Sequence, residues 1–376
     1  MSAESQASLP KGWTHVRFGD VVRNKNLTTK DPEKDGLDRI VGLTHLDSES
    51  LPIVRWDILE GETSFSRTFA AGDVLFGKRR AYQRKVGVPD FAGICSGDIL
   101  VFESKDPSLL QEFLPYIVQS DAFFERAVGT SAGSLSPRTN WGQLARFEFA
   151  LPPIEEQNRI REILSSIKGL RALLREGLQN AQNLKKAQLE FLFDPTTGDK
   201  TDLRNLADFH NGFPFKPRDL NGKGLPVVRI RQLLDPQAPM DQSDVEVPTT
   251  CMLSDGDLVF AWSGTLAVRR WTRGPAKLNQ HLFRVVEHSG VSSAWLQYAL
   301  EHALGSLSEQ THGTAMKHIT KAKLLSFAVR AQSAEAQEAT VSQLAATDFL
   351  LNSLTEEEER LRVLGRAVRE RMLHVS

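Results

Sequence analysis

The sequence has few cysteines, no large excess of charge of either sign and no long apolar run. Its 376 residues include only Cys95 and Cys251, too few for a cysteine-rich metal site or a disulfide framework. Nothing in the pattern indicates secretion, so we expect a reducing, cytoplasmic environment. Residues 1–11 lack the apolar core of a signal peptide. No apolar run approaches the roughly 20 residues needed to span a bilayer, so no membrane partner is expected.

The near-neutral charge and the missing catalytic motifs narrow the function further. A formal net charge of −1 and a pI of about 6.8 argue against a globally basic nucleic-acid binder, so any positive surface must be local. The chain has no P-loop, GxGxxG, HExxH or GxSxG motif, and it lacks the Asn/Asp-Pro-Pro-aromatic signature of methyltransferases. Its nine histidines show no ligand spacing. We therefore expect no metal and no cofactor in this chain.

What the chain does contain is an internal repeat whose period is close to half of its length. The repeated landmarks keep their order along the sequence: Gly72-Asp73 and Gly256-Asp257, Gly129-Thr130 and Gly313-Thr314, and Glu155-x-Gln157 and Glu335-x-Gln337. Such a period is too long for a solenoid repeat and fits two complete domains. The chain is therefore predicted to be a tandem duplication.

Each copy is predicted to combine an α+β domain with a long helix. Residues 1–151 and 195–330 alternate short runs of β-forming residues with loops and a helical stretch. In residues 152–194 and 331–376 the apolar spacing changes to three and four, which is typical of an amphipathic helix. The residues predicted to form the apolar contact face of the two helices, which we call the seam, are Ile160, Ile163, Ile167, Leu170, Leu174, Leu178, Leu184, Leu344, Leu351, Leu354, Leu361 and Leu364.

The length of the two helices predicts that they pair with each other. A helix of 35 to 40 residues is about 50 to 60 Å long, more than one small domain can cover. We expect the two helices to form an antiparallel coiled coil with pseudo-twofold symmetry, acting as a spacer between the domains. The alternative is that each helix only completes the core of its own domain.

Two clusters of cations suggest contacts with DNA. The first follows a Gly-Asp strand and contains Lys78, Arg79, Arg80, Tyr82, Gln83, Arg84 and Lys85. The second contains Trp262, Ser263, Thr265, Arg269, Arg270, Arg273 and Lys277. Lysine and arginine neutralise phosphates, and arginine and glutamine also read base edges. Because the clusters occupy matching places in the repeat, we interpret them as equivalent DNA-binding loops rather than as solvated charge runs.

A second pair of loops matches between the copies. Ser134 and Arg138 lie in a loop rich in glycine and serine, and its counterpart carries Lys317 and His318. Glycine lets a backbone approach a ligand closely, so these four residues are further candidate DNA contacts. A simple mobile connection explains the composition equally well.

One fragment resembles the active site of a metal-dependent nuclease. Asp90, Glu103 and Lys105 imitate the carboxylates and lysine of the PD-ExK pattern, which would bind Mg²⁺ and activate water. The second copy reads Glu287-His288-Ser289 at the matching place and lacks the lysine. The nuclease, and a protein-only adaptor of a phage-defence complex, remain the alternatives to a DNA-recognition protein.

The layout resembles the specificity subunit of Type I restriction–modification systems over essentially the whole chain. The most specific motif is the strand-Pro-Pro-x-Glu-x-Gln-helix junction at residues 149–157. The second junction, at residues 330–337, has lost both prolines, which leaves the helix start less sharply defined. The family's Asn-Gln pair occurs at Asn279-Gln280 and has no clear match in the first copy.

The resemblance implies a non-catalytic protein that recognises double-stranded DNA. Each α+β unit would be a target recognition domain that reads one half of a bipartite site. The helices would separate the two domains and seat two methyltransferase subunits. Those partners would carry S-adenosylmethionine and methylate adenine at N6, and a restriction subunit would be a further partner.

Overall fold

The computed structural model describes residues 9–48, 50–309 and 320–373. The chain divides into two compact units: one comprises Met1–Leu174 with Glu357–Ser376, and the other comprises Arg175–Glu356. Each long helix contributes residues to both units, so the units differ from the predicted boundaries near residues 151, 194 and 330. Those boundaries stay predictions.

The first unit contains ten short strands and the shorter helices that connect them. Its strands are β1 Thr14–Arg17, β2 Val22–Asn24, β3 Arg39–Val41, β4 Asp57–Ile58, β5 Arg67–Phe69, β6 Val74–Gly77, β7 Val86–Gly87, β8 Gly93–Cys95, β9 Ile99–Ser104 and β10 Glu148–Leu151. Its helices are α1 Phe18–Val21, α2 Leu114–Val118, α3 Asp121–Gly129, α4 Trp141–Leu144, the first part of α5 Ile154–Phe193 and the last part of the second long helix, α9 Ala334–Leu373.

The second unit also contains ten described strands. They are β11 Lys200–Asp202, β12 Ala207–Asn211, β13 Leu225–Val228, β14 Gln242–Ser243, β15 Met252–Leu253, β16 Leu258–Ala261, β17 Ala267–Arg270, β18 Ala276–Leu278, β19 Leu282–Glu287 and β20 Ala328–Arg330. Its helices are α6 Ile230–Leu234, α7 Ser293–Glu309, α8 Lys321–Leu325 and most of α9 Ala334–Leu373.

The two units share one sheet topology. In the first unit the strand orders are β2-β9-β6-β7, β4-β3-β8-β5 and β1-β10; in the second they are β12-β19-β16-β17, β14-β13-β18-β15 and β11-β20. The sheets β4-β3-β8-β5 and β14-β13-β18-β15 each contain one parallel pair of strands: β3 with β8 in the first unit and β13 with β18 in the second. The predicted mixture of strands and helices is confirmed, and the sequence repeat corresponds to a repeat of strand pairing.

The repeated Gly-Asp motif is explained by a turn before a central strand. Gly72 and Gly256 have φ of +83° and +93°, the left-handed region that glycine reaches at least cost. Asp73 and Asp257 each accept a hydrogen bond from the backbone N–H three residues earlier, at 2.7 Å. Each carboxylate also pairs with a cation: Lys25 at 3.0 Å and Arg284 at 3.1 Å. The motif therefore fixes the fold and is not part of a functional site.

The main core of each unit is aromatic and includes residues of a long helix. In the first unit the core is built around Phe18, Phe76, Phe102 and Phe123, with Ile160 and Leu164 of α5 buried against them. In the second unit it is built around Phe193, Phe260, Phe283 and Trp295, with Leu344 of α9. Burying one large apolar side chain stabilises the fold by about 1.5 to 3 kcal/mol. The ends of the helices therefore belong to the domain cores.

The repeated Glu-x-Gln motif fastens each long helix to its unit. The Gln157 side chain is fully buried; its Oε1 accepts from the Leu110 N–H at 2.9 Å, and its Nε2 donates to the Ser108 and Pro152 carbonyls at 2.6 and 2.8 Å. Gln337 repeats the arrangement: Oε1 accepts from the Ser292 N–H at 2.8 Å. The loss of the two prolines at the second junction does not remove this anchor.

The long helices run antiparallel to each other in the first unit. A Cβ at Gly365 of α9 would lie 3.3 Å from the Ile167 side chain of α5, so the glycine permits close contact. One turn further along α5, the Arg171 guanidinium lies 2.8 Å from the carboxylate of Glu358. Residues further along α5 therefore contact residues earlier in α9, so the two helices are antiparallel.

The same antiparallel packing holds in the second unit. The Lys185 ammonium of α5 lies 2.7 Å from Asp348 of α9. The Thr347 hydroxyl donates to Gln188 Oε1 at 2.9 Å. These contacts between the helices in the second unit are polar. In the first unit the contacts described above are one apolar contact and one ion pair.

The predicted seam is partly on the surface. Eight of its members are buried or half-buried: Ile160, Ile167, Leu174, Leu178, Leu344, Leu351, Leu354 and Leu361. Four members are instead 41 to 51% exposed: Ile163, Leu170, Leu184 and Leu364. The three-and-four spacing describes an apolar stripe wider than the contact between two helices, and part of this stripe faces outward. Among the described helices, none is long and apolar enough to cross a membrane.

Candidate nucleic-acid interface

Three segments of the first unit meet at the end of the β6 strand. The β6–β7 loop, residues 78–85, contacts the turn between β8 and β9 through a hydrogen bond from the Lys78 N–H to the Asp98 carbonyl at 2.9 Å. The same loop contacts the glycine- and serine-rich loop: the Arg80 N–H donates to the Pro137 carbonyl at 2.7 Å, and the Thr139 N–H donates to the Lys78 carbonyl at 3.1 Å. Two loops predicted separately thus form one surface, which we call the first loop cluster.

The carboxylate of Asp98 organises the cations of this cluster. Arg138 donates to it from both Nε and Nη2, at 2.7 and 3.2 Å, and Arg79 Nη1 lies 3.6 Å away. The hydrogen bond from Arg138 is the main reason that the pKa of Asp98 lies below its usual range, although burial raises it slightly. Asp98 therefore stays ionised at neutral pH and holds both guanidinium groups in defined orientations. Bidentate pairs of this kind fix geometry as well as charge.

Arg79 and Arg80 also share a hydroxyl. Arg79 Nη2 donates to Ser136 Oγ at 3.0 Å, and Arg80 Nη2 lies 3.5 Å from the same oxygen. Arg80 has a φ of +54°, a conformation that costs a non-glycine residue about 1 to 2 kcal/mol. Lys78 is half-buried, and burial, with the charge of Arg67, lowers its pKa. The cations of the cluster are thus held in place by the protein before any ligand arrives.

The outward surface of the first loop cluster also carries neutral side chains. Tyr82 is 58% exposed, and Gln83 and Ser134 are also exposed. Gly133 has a φ of +109°, which allows the turn that presents Ser134 and Leu135. Aromatic and amide groups beside anchored cations are suited to nucleic acid, because the cations neutralise phosphates while the neutral groups contact bases.

Two predicted contacts of this loop face inward. Arg84 Nη2 lies 2.6 Å from Asp121 and donates to the Gln119 carbonyl at 3.0 Å, and its guanidinium stacks 4.4 Å from the centre of the Phe124 ring. The Lys85 ammonium donates to the Leu43 carbonyl at 2.5 Å. Both cations hold the loop onto the unit, because each has strong partners there. Their placement corrects the expectation that they point toward a ligand.

The second unit brings together the equivalent loops with different chemistry. The β16–β17 loop, residues 262–266, contacts the β18–β19 turn through the Trp262 N–H and the His281 carbonyl, 3.4 Å apart. The Trp262 ring lies 5.8 Å from the His281 ring, and Gln280 Nε2 is 3.3 Å from His281 Nε2. A Cβ at Gly212 would lie 2.2 Å from the Asn279 carbonyl oxygen, so only glycine fits beside this turn. We call this surface the second loop cluster.

The arginines predicted for the second cluster are not in its loop. Arg269 and Arg270 belong to strand β17, and Arg270 Nη1 donates to the Gly256 carbonyl at 3.0 Å. Arg273 stacks 4.4 Å over the ring of Trp271, which is itself buried. These three residues therefore do not lie in the loop equivalent to residues 78–85, because they belong to the strand and to the turn after it. Arg269 is exposed, so it remains a candidate contact at the end of the sheet.

Lys277 is the clearest correction in the second unit. Only 6% of the residue is exposed, and its ammonium donates to the Ser243 and Val245 carbonyls at 2.8 and 2.6 Å. These bonds join β18 to the chain after β14, so Lys277 stabilises the sheet. Ser263 is also buried, whereas Thr265 is exposed. The candidates Lys317 and His318 lie outside the described residues.

Sequence reasoning missed three residues of these clusters as candidates. Asp98, Gln280 and His281 each lie in the turn after the parallel-paired strand β8 or β18, directly beside the loop that was recognised. Asp98 precedes β9 as His281 precedes β19, and the distance between them along the chain is close to the repeat period. Aligning the two copies of the repeat across these turns would have identified Asp98 and His281 as matching candidates.

The residues of the nuclease alternative do not form a site. Asp90 is exposed, and Glu103 is paired with Arg23 and lies 3.6 Å from the ammonium of Lys25. Within residues 9–48, 50–309 and 320–373, no group of three or more histidine, cysteine, aspartate or glutamate residues is arranged to hold a metal ion. The geometry gives the nuclease interpretation no support.

Comparison with known families agrees with the geometry of the two units. Residues 10–181 match the model of the Type I restriction modification DNA specificity domain. The MjaVIII Type I restriction enzyme specificity subunit of Methanocaldococcus jannaschii is 21% identical over 397 aligned positions, which cover 94% of this chain and 90% of the relative. The EcoDI specificity subunit of Escherichia coli is 23% identical over 192 positions, covering 50% of this chain and 42% of that subunit.

Solved structures show the same fold over nearly the whole chain. A chain from a study of complex assembly and conformational transition of the type I R-M system has a TM-score of 0.68 at 21% identity, covering 96% of this chain and 97% of that one. The HsdS subunit from Thermoanaerobacter tengcongensis has a TM-score of 0.51 at 21% identity, covering 98% of each chain. The S subunit from M. genitalium has a TM-score of 0.57 at 13% identity, covering 100% of this chain and 99% of that subunit.

Proposed function

We propose a division of roles along this chain, which belongs to the family of Type I restriction–modification specificity subunits. Its function is recognition of a DNA target, and it is not itself an enzyme of the complex. Within that function we propose that each unit is a target recognition domain that reads one half of a bipartite site. The domain limits are those predicted from the sequence: residues 1–151 and 195–330 for recognition, and 152–194 and 331–376 for the spacer helices.

One observation carries this proposal: the same pair of loops converges in both units with different side chains. In each unit a backbone hydrogen bond joins the loop after the central strand to the turn after the parallel strand, from Lys78 to Asp98 and from Trp262 to His281. The first cluster offers anchored guanidinium groups, and the second offers a tryptophan, a histidine and a glutamine. Base recognition depends on such differences in donors, acceptors and stacking surfaces. Two half-sites of different sequence are the expected consequence.

We further propose that α5 and α9 form an antiparallel coiled coil that seats two copies of one partner. The exposed leucines support this: Leu170 and Leu350 are 51 and 44% exposed, Leu184 and Leu364 are each 49% exposed, and the members of each pair occupy equivalent positions of the repeat. The first unit holds Leu170 with Leu364, and the second holds Leu350 with Leu184. Each unit therefore presents one copy of the same leucine doublet, as two identical partners require.

The proposed partners are two methyltransferase subunits that carry S-adenosylmethionine and methylate adenine at N6, with a restriction subunit as an additional member. The specificity subunit would contribute no catalytic group. It would direct methylation by carrying the reading surfaces and the partner seats on one chain. The protein-only adaptor function has no observation in its favour, because both loop clusters retain groups suited to nucleic acid.

The two-reader proposal is tested by changing one loop cluster at a time. The chain is co-expressed with the methyltransferase encoded beside it, and host DNA is sequenced with detection of methylated bases. Arg79→Ala with Arg138→Ala should alter or erase one half of a two-part motif, and Gln280→Ala with His281→Ala should affect the other half. Arg17→Ala, at a surface pair with Glu148, is the control and should leave the motif unchanged. Loss of both halves in either loop variant would refute separate reading.

The partner-seat proposal is tested by counting bound subunits. Native mass spectrometry of the purified complex should show two methyltransferase subunits on the wild-type chain. Leu170→Glu with Leu364→Glu should reduce the number to one, as should Leu184→Glu with Leu350→Glu, and the fourfold variant should bind none. Leu27→Glu changes a 59% exposed leucine away from the helices and serves as control. A doublet variant that still binds two subunits would contradict the proposal.

A further inference from the structure

Five arginines of the first unit converge on a cavity of about 230 Å³. They come from three separate elements: Arg84 from the β6–β7 loop, Arg171 from α5, and Arg362, Arg366 and Arg369 from α9. Asp121, at the start of α3, is the acidic residue in the lining, which Ser48 and Gln119 complete. We call this site the arginine pocket. It lies on the inward side of the β6–β7 loop.

One carboxylate inside the arginine pocket forms ion pairs with two guanidinium groups. Asp121 has Arg84 at 2.6 Å on one oxygen and Arg366 at 2.9 Å on the other. Burial raises the pKa of Asp121, but these two arginines lower it below its usual range, so the group stays ionised. A single negative charge shared between two arginines cannot neutralise both.

The other carboxylates that contact the pocket residues lie outside its lining. Glu358 pairs with Arg171 and Glu359 pairs with Arg362 from outside the lining. Glu370, also outside it, accepts a hydrogen bond from the Asp121 N–H at 2.9 Å. Within the lining itself, five guanidinium groups therefore surround the carboxylate of Asp121.

Arg369 offers a buried hydrogen-bond donor in the lining of the pocket. Among the described residues its Nε is buried and has no hydrogen-bond partner. Burial lowers its pKa, and so do the charges of Arg84 and Arg171, whereas Glu370 raises it. A buried guanidinium N–H without an acceptor is costly, and proteins normally satisfy such a group. An oxyanion in the cavity would accept this hydrogen bond and relieve the repulsion between neighbouring arginines.

The second unit lacks this chemistry at the equivalent place. Beside the long helices of the second unit, Glu301 and Asp348 enclose one cation, Lys185, at 2.8 and 2.7 Å. Tyr298 adds a hydroxyl bond to Asp348 at 2.8 Å. The counterpart of Arg369, one repeat earlier in the chain, is Leu189. The duplicated architecture therefore does not require a cluster of arginines, and the pocket is specific to the first unit.

We propose that the arginine pocket binds a small free phosphate-class anion, such as orthophosphate or pyrophosphate. Guanidinium forks match phosphate oxygens bidentately, and several arginines suit an anion with three or more oxygens and more than one charge. The cavity of about 230 Å³ leaves space for phosphate with some hydration. Because Arg84 belongs to the loop that carries Arg79 and Arg80, the bound anion would also brace the first loop cluster.

The test uses the purified full chain and inorganic anions, so it does not depend on the proposed function. Orthophosphate and pyrophosphate are titrated by calorimetry and by thermal denaturation, with sodium chloride keeping the ionic strength constant. Wild type should show saturable binding at one site and a matching rise in melting temperature. Arg369→Gln should weaken binding about tenfold or more, since it removes a hydrogen bond to a charged group. Arg360→Gln, on the exposed side of the same helix, should bind like wild type.

A second variant of Arg369 and a parallel titration with DNA separate the possible outcomes of this test. Arg369→Lys retains charge without the fork and should bind with intermediate affinity; it replaces Arg369→Gln if that variant does not fold. Equal binding by wild type and both Arg369 variants would overturn the proposal, as would a response that chloride reproduces. A short DNA duplex is titrated in parallel in the assembled complex. If Arg369→Gln weakens only DNA binding and free phosphate never binds, the pocket serves the DNA backbone and the proposal fails.

Discussion

Replacing Gln157 by leucine should loosen the anchor between α5 and the first unit. The side chain is fully buried and makes three hydrogen bonds, to the Leu110 N–H and to the carbonyls of Ser108 and Pro152. Leucine has nearly the same size, so it fills the space without making any of these bonds. The backbone groups that lose their partner lie in the loop before α2 and at the end of β10, where the helix leaves the sheet.

The size of the effect follows from the number of groups left unpaired. A buried polar group without a partner costs about 1 to 3 kcal/mol, and three groups lose one bond each. The added apolar surface of leucine returns on the order of 1 kcal/mol. We therefore expect Gln157→Leu to reduce the free energy of unfolding by about 2 to 8 kcal/mol. Gln337→Leu should cost less, because its Nε2 bonds are longer, at 3.1 and 3.5 Å.

Urea denaturation and amide hydrogen exchange measure the size and the location of this effect. Denaturation gives the change in the free energy of unfolding, and exchange shows where protection is lost. In Gln157→Leu the peptide that contains Leu110 should exchange faster, while the peptide that contains Ser292 should be unchanged; Gln337→Leu should show the reverse. Gln179→Leu, at an exposed position of α5, is the matched control and should stay within about 0.5 kcal/mol of wild type.

A loss below about 1 kcal/mol for Gln157→Leu would refute this reasoning. So would unchanged exchange at Leu110, because the argument depends on that particular hydrogen bond. Faster exchange in both units after either substitution would show that the two anchors are not independent.

Three further predictions concern buried or half-buried titratable groups. Lys185→Met leaves two carboxylates beside each other and should lower the free energy of unfolding by about 2 to 4 kcal/mol, measured in urea; Lys186→Met is the exposed control. Burial lowers the pKa of His302, so the folded state binds its proton less readily than the unfolded state; the melting temperature should fall as pH drops below about 6.5, and His302→Gln should remove that part of the slope. Burial raises the pKa of Cys95 to about 12 and also raises that of Cys251, so neither thiol should react with iodoacetamide at pH 8 until the chain is unfolded.

Features fixed by local sequence could be predicted, and the repeat made them more secure. The Gly-Asp turn depends on backbone conformation and on a carboxylate three residues from the N–H that it binds. In the Glu-x-Gln junction the bond from Gln157 to the Pro152 carbonyl is similarly local, whereas its bonds to Leu110 and Ser108 are not. Gly72 needs a left-handed φ, and Gln157 reaches the Pro152 carbonyl just before its own helix. Such features are visible in a single sequence because the residue type alone states the requirement.

Features decided by distant partners could not be predicted. Arg84 turns inward because Asp121, Gln119 and Phe124 lie there, and none of them is near it in sequence. Lys277 is buried because two carbonyls on a distant segment of the chain accept its hydrogen bonds. A charge run looks the same in sequence whether its members face solvent or hold a loop to the core. Only the tertiary contacts separate the two cases.

The comparison of the two units separates what the duplication conserves from what it leaves free. Both units keep the strand order, the glycine turns, the glutamine anchors and the exposed leucine doublets, which define the framework or the proposed partner seats. The units differ where the framework does not depend on the side chain: Asp98 against His281 in the loop clusters, and the arginine pocket of the first unit against Lys185 with its two carboxylates in the second. Identical partners require the first group to stay the same. A target with two unlike halves requires the second group to diverge, so the pattern of difference is itself an argument for two readers on one frame.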